Sequence, residues 1–115
     1  MFVFEENYTF DWPVTVRYPT ESGSDERSFT ATFKLPDDEL DLFDGTDADS
    51  LAQMIHDARD RVSRYWIGWS GIQTPDGTEL AFSEDTRARL LKQRPVREAI
   101  DRALAEAVLG IREKN

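Results

Sequence analysis

Cysteine does not occur in this chain of 115 residues, and histidine occurs once, at position 56. Without cysteine there is no disulfide framework and no thiolate metal site, which fits an intracellular protein. A single histidine cannot by itself complete a catalytic triad or an ordinary zinc site. On a helix, His56 points away from the apolar face and reads as a solvated side chain. No apolar run approaches the roughly 18 residues of a membrane-spanning helix. The opening M-F-V-F-E-E lacks the basic stretch and apolar core of a secretory signal. Gly68-x-x-Gly71 is not followed by G-K-[S/T], so it is not a phosphate-binding loop of that type. The acidic run over residues 37–49 lacks the D-x-D-x-D-G order and the late bidentate glutamate of a calcium loop. A glycosidase-like carboxylate pair stays open, but among so many acids a chance pair carries little information. The reading is a non-enzymatic protein with no cofactor and no metal.

Basic residues are also in short supply, 14 against 23 acidic, for a formal net charge of -9. Such a balance repels nucleic-acid phosphates and anionic membranes. Its plainest role is solubility. Two sharper roles are an acidic face for a basic partner and a mimic of DNA.

What is present reads as one globular domain over residues 1–115. Phe10, Trp12, Val14, Val16 and Tyr18 alternate with polar residues and Pro13, the period of a half-buried strand. Phe29, Ala31, Phe33 and Leu35 repeat the pattern, so the two should pair as an antiparallel hairpin. Residues 19–27, P-T-E-S-G-S-D-E-R, read as a polar, mobile loop between them. Phe2 and Phe4 fit the start of a further short strand. Pro36 ends the second strand, and the acidic tract of residues 37–44 follows as one helical turn stopped by Gly45. Asp47 or Asp49 then caps a helix over residues 49–66. Its apolar face is Leu51, Met54, Ile55, Ala58, Val62, Tyr65 and Trp66. Ser83 caps a helix that must end before Pro95. Pro95 opens the last helix, residues 95–111, where Val96, Ala99, Ile100, Ala103, Leu104, Ala107, Val108 and Ile111 share a face. Arg87, Arg89, Lys92, Arg94 and Arg97 cluster around Pro95 and read as helix surface balanced by nearby acids.

The chain is organised around residues 66–82, W-I-G-W-S-G-I-Q-T-P-D-G-T-E-L-A-F, which hold two of the three tryptophans. Thr74-Pro75-Asp76-Gly77 has the chemistry of a turn, and Ile72 and Leu80 flank it as a short hairpin would. The fold expected is α+β: an N-terminal antiparallel β-hairpin or small sheet packed against about three helices. Trp66 and Trp69 should anchor its core, with a partner contact as the alternative for Trp69. The last helix, through Ile100, Leu104, Val108 and Ile111, is expected to supply part of a contact surface for a helical partner or for self-association. The alternative is that the whole stripe is intramolecular core.

Four segments together resemble one family. They are F-D-W-P-V-T-V-R-Y-P (residues 10–19), F-T-A-T-F (29–33), G-W-S-G-I-Q-T-P-D-G-T-E-L-A-F-S (68–83) and L-L-K-Q-R-P-V-R-E-A-I (90–100). In this order they look like the phage tail assembly chaperones, small proteins of long-tailed phages and prophages. The resemblance covers about residues 10–108, and the G-W-S-G segment with its D-G turn is the most specific part. The family often has a tyrosine after the alanine run of the final helix. Here Ala103-Leu104-Ala105-Glu106-Ala107 has none. The resemblance implies a non-enzymatic chaperone in the cytoplasm of a bacterial host. Its partner would be the tape measure protein, with the tail tube protein and further copies of itself as additional contacts, and no nucleic acid or membrane. The alternative, an acidic DNA-mimic inhibitor of a nucleic-acid-binding protein, needs two regular rows of carboxylates. Arg and Lys are interleaved from residue 59 onward.

Overall fold

The two alternating stretches pair as an antiparallel hairpin in a computed structural model that describes residues 1–43 and 49–110. Strand β1 is Thr9–Thr20 and β2 is Gly23–Lys34. The register sets Phe10 opposite Phe33, Trp12 opposite Ala31 and Val14 opposite Phe29, which collects the apolar side chains on one face. Residues 19–27 are not the expected loop. The ladder continues to Thr20 and Gly23 and leaves only Glu21 and Ser22 in the turn. In this distal half polar pairs replace apolar ones: Arg17 Nε bonds Glu26 Oε1 at 3.1 Å, and the hydroxyls of Thr15 and Ser28 lie 3.2 Å apart. Where most side chains meet water, apolar alternation fades even though the strand continues. Residues 1–4 form no strand and are exposed.

A third strand, β3 (Trp66–Ser70), pairs antiparallel with β2 and gives the order β1-β2-β3. Helix α1 (Leu51–Tyr65) therefore ends one residue earlier than its periodicity suggests, and Trp66 belongs to the sheet. Thr32 faces Gly68 while Phe33 faces Trp66, so Ile67 is an extra residue, a bulge. The consequence is geometric. Residues three apart on a regular strand point to opposite faces. With the bulge, Trp66 and Trp69 both turn toward the core, their ring centroids 5.2 Å apart. Trp66 is completely buried and also packs on Phe29 at 6.0 Å.

Helix α1 is capped by Ser50, whose hydroxyl accepts from the Gln53 amide at 3.1 Å. Asp49 does not cap it, and Gly45 and Asp47 lie outside the described residues. The acidic tract carries a single 3-10 turn, Glu39–Phe43. Helix α2 (Glu84–Leu91) has the expected Ser83 cap, completed by Thr86: the Thr86 amide donates to Ser83 Oγ at 3.0 Å and the Ser83 amide to Thr86 Oγ1 at 2.8 Å. Helix α3 (Arg94–Leu109) begins with Pro95 in its first turn and stops at Gly110, φ +70°.

The core lies between the inner sheet face and the helices. Val14, Val16, Ala31, Phe33 and Trp66 come from the sheet; Val62, Leu91, Val96, Ile100 and Leu104 cover them. Helix α3 packs chiefly on β1. The result is the expected α+β architecture, a three-stranded antiparallel sheet with three helices. No helix among the described residues is long and apolar enough to cross a membrane.

Replacing Trp66 by Ala is expected to lower the unfolding free energy by about 3–5 kcal/mol, the usual cost of removing a large buried aromatic. Ile67, the 38% exposed bulge residue, should tolerate Thr within about 0.5 kcal/mol. Urea unfolding of both variants checks the difference. Equal losses would show that the bulge does not sort the two side chains.

Candidate functional site

The groups that carry chemistry are scattered. His56 is exposed on α1, and among the described residues no three His, Cys, Asp or Glu side chains come together as metal ligands would. Much of the basic cluster is tied into the fold. Arg87 donates from Nη1 to the Trp66 carbonyl at 2.9 Å and lies over the Phe82 ring. Arg97 donates to the Leu91 carbonyl at 3.3 Å, and Arg94 pairs with Glu98 at 2.6 Å. These cations fasten the end of α1 and the α2–α3 junction.

The stretch after β3 doubles back as a small hairpin. Gln73 bridges Glu79, and the Leu80 amide donates to the Ile72 carbonyl at 2.8 Å. At its tip the Gly77 amide donates to the Thr74 carbonyl at 2.9 Å, with Gly77 at φ +86°. Asp76 stitches this turn, accepting from the Thr74 hydroxyl and from the Thr78 amide at 3.0 Å. Those donors hold its carboxyl at about 2, below the ordinary 3.8, although it is fully exposed. Trp69 fastens the hairpin to the sheet: its indole Nε1 donates to the Leu80 carbonyl at 2.7 Å, and Phe82 meets its ring edge-on at 4.8 Å.

The contact residues expected from sequence fare differently. Ile100 and Leu104 are sealed in the core at 0% and 1% exposure. Trp69 and Val108 are half-buried against it, and Ile111 lies outside the described residues. The stripe on α3 is thus core from Val96 to Leu104, and the small side chains of Ala99 and Ala103 bring the helix close to β1 instead of to a partner helix. The stripe cannot present Ile100 or Leu104 to a partner while the chain is folded.

Among the described residues, open apolar surface beyond the exposed residues 1–4 occurs in two notable places. The first comprises exposed residues of the first turns of α1 and of the 3-10 turn. Leu51 and Met54 are 72% and 57% exposed, and Leu40 and Phe43 are 66% and 54% exposed. Only Val62 and Tyr65 of α1 are buried. Phe43 and Leu42 also border a hollow of about 270 Å³ against Arg61, Asp101, Leu104 and Leu109. In sequence Asp37, Asp38, Glu39, Asp41 and Asp49 flank Leu40, Phe43 and Leu51, and Asp57 and Asp60 follow on α1. Sequence periodicity marked Leu51 and Met54 as buried; the nearby Leu40 and Phe43, apolar residues within an acidic tract, were the available sign of an open surface.

The second is a cleft of about 500 Å³ between the distal half of the β-hairpin, residues 71–75 and the α2–α3 junction. Val16, Phe29, Ile72, Leu80, Leu90 and Val96 supply its apolar lining. Tyr18 donates its hydroxyl to Gln93 Oε1 at 2.7 Å, joining β1 to the start of α3 beside it. Arg27 and Arg89 line the cleft, and no carboxylate does among the described residues.

The turn makes a pH-dependent prediction. A carboxyl whose folded value is depressed stabilises the fold above its unfolded value, and that contribution disappears as pH falls from about 3.8 toward about 2. Carboxyl NMR titration should therefore place Asp76 near the lower figure. Thr74→Val should return it toward the ordinary value, and Asp76→Asn should remove the acid step from the Thr78 amide shift. An Asp76 that titrates at 3.8 in the unaltered chain would overturn this account. Comparison of the chain with protein-family models, curated proteins and solved structures finds no match in any of the three.

Proposed function

We propose that the chain is a non-enzymatic assembly chaperone that binds a long helical partner, the tape measure protein of the tail assembly system its sequence resembles. One observation carries this reading: Leu40, Phe43, Leu51 and Met54 are exposed within a strongly acidic stretch of the sequence. A helix that presents an apolar face to a partner uses residues three and four apart, as Leu51 and Met54 are. The acids favour a partner helix with basic flanks, and they speed encounter with it. The scattered chemistry of the described residues supports a binding role. On this reading Trp69 fastens the 72–82 hairpin to the sheet, and the contact falls on α1 and the 3-10 turn. Oligomeric tail assembly would use the chain transiently, as a soluble cover for apolar helix that must stay unaggregated before packing.

Exposed positions allow a test that leaves the fold intact. Leu51→Ser with Met54→Ser should change stability by less than about 1 kcal/mol. On co-expression with the tape measure protein encoded in the same genome, the unaltered chain should co-purify and the double variant should lose at least about tenfold in recovery. Undiminished recovery of the variant would move the contact off these residues. Failure of the unaltered chain to co-purify would overturn the proposed function itself.

A further inference from the structure

The chain exposes an apolar segment that it does not cover and opens a cleft that suits it. Phe2, Val3 and Phe4 are 86%, 71% and 72% exposed and are followed directly by Glu5 and Glu6. The cleft beside the distal hairpin has the converse character: an apolar lining with Arg27 and Arg89 as its charged residues. Arg89 makes no side-chain hydrogen bond or ion pair among the described residues. Arg27 uses Nε for Asp25 Oδ2 at 2.9 Å and packs over the Tyr18 ring, which leaves its terminal nitrogens for a further acceptor. We infer that residues 2–6 of one copy dock in this cleft of a second copy, with the phenylalanines on the apolar lining and the glutamates against Arg27 and Arg89.

Reach decides that the occupant comes from another copy. The arm leaves the sheet at Thr9, where β1 begins, whereas the cleft is lined by Val16 and Tyr18 near its other end. Arg27 stands opposite Val16 in the register. That is about 23 Å along the strand from Thr9 at 3.3 Å per residue. The Tyr8 carbonyl accepts from the Leu35 amide at 2.9 Å, which pins the arm one residue further back, so Glu6 and Glu5 extend no more than about 11 Å from Tyr8. The gap left to Arg27 exceeds what the two side chains span, so a chain cannot bring its own acids to its own Arg27. In a second copy no such limit applies, and the cleft volume of about 500 Å³ is within the range that accommodates a few side chains.

The charge pattern makes the contact selective. In a molecule of net charge -9, like-charge repulsion opposes random association. A cleft lined by arginines is a place where an acidic arm is attracted. Arm and cleft are unlike patches at opposite ends of β1, so copies join as a reciprocal pair, a closed ring or a growing row. The inference is independent of the tail-assembly reading, because it needs no other protein.

Sedimentation velocity of the full chain over a wide concentration range tests it, at low and high salt. The unaltered chain should self-associate, less so in high salt. Phe2→Ser with Phe4→Ser should weaken association by about tenfold or more, and because both side chains are exposed the fold is unaffected. Glu5→Arg with Glu6→Arg should do the same, as should Arg27→Glu with Arg89→Glu. Mixing those two charge-reversed variants should restore association between unlike chains, since the arginine arm of one meets the glutamate cleft of the other and the glutamate arm of the second meets the arginine cleft of the first; the quadruple variant, with arm and cleft both reversed, should recover association by itself. A strictly monomeric unaltered chain would overturn the inference. So would association that persists after the phenylalanine changes, or a quadruple variant no better than either double.

Discussion

Two tryptophans three residues apart on a strand can share a face only if the strand gains a residue, and most of this fold depends on that condition. The bulge at Ile67 supplies it. Trp66 then fills the space between Phe33 and Phe29, and Trp69 pairs across the ladder with the small, fully buried Ala31. Without the bulge one indole would lie on the outer face among Thr30, Thr32 and Ser70, where its area would be wetted. The polar ends of both rings have partners close by in the chain. Trp66 Nε1 donates to the Gly68 carbonyl at 3.0 Å, and Trp69 Nε1 donates to the Leu80 carbonyl. Burial of the rings therefore leaves no indole N–H unpaired, which would otherwise cost about 1–3 kcal/mol apiece.

From that point the helices are placed by what remains uncovered. Helix α1 runs straight into β3, so Val62 and Tyr65 are carried onto the core by the strand that follows them. Helix α3 spans the β1 side of the sheet, where Val14 and Val16 would otherwise be open. The short α2 has little apolar surface, with Leu91 its buried residue. Its position rests on the Ser83–Thr86 cap and on Arg87, whose guanidinium reaches the Trp66 carbonyl. A helix this short is marginal alone, so the cap and the guanidinium bond matter more here than in α3.

Legibility in the sequence followed the burial of each element. β1 and the proximal half of β2 alternate cleanly because one face is core and the other water. α3 was legible for the same reason, with Pro95 marking its first turn, and the Ser83 cap marked the start of α2. The distal hairpin was hidden, since Ser24, Glu26 and Ser28 carry no apolar signal, and a ladder held by cross-strand polar pairs reads as loop. β3 was hidden because its bulge breaks period two, and because Tyr65 and Trp66 continue the helical spacing of α1 by coincidence. Use of an apolar face proved less legible than its existence. The stripes on α1 and α3 look alike in sequence. α3 is buried at Ile100 and Leu104, whereas α1 is open at Leu51 and Met54. Periodicity reports which side chains share a face; it does not report whether the sheet is wide enough to cover it, and three strands cover one long helix and half of another.

That uncovered surplus gives the charge a structural meaning. A small protein that exposes Phe2, Phe4, Leu40, Phe43, Leu51 and Met54 carries the means of its own aggregation. Net charge of -9 acts against indiscriminate contact, because any two copies meet as like charges. Contacts then succeed only where local charge is opposite. On the two proposals, the exposed residues of α1 and the 3-10 turn would take a basic apolar surface and the arginine-lined cleft an acidic one. The two regions would then select different occupants although both offer the same hydrophobic gain, and the selection would lie in the few charged residues near them.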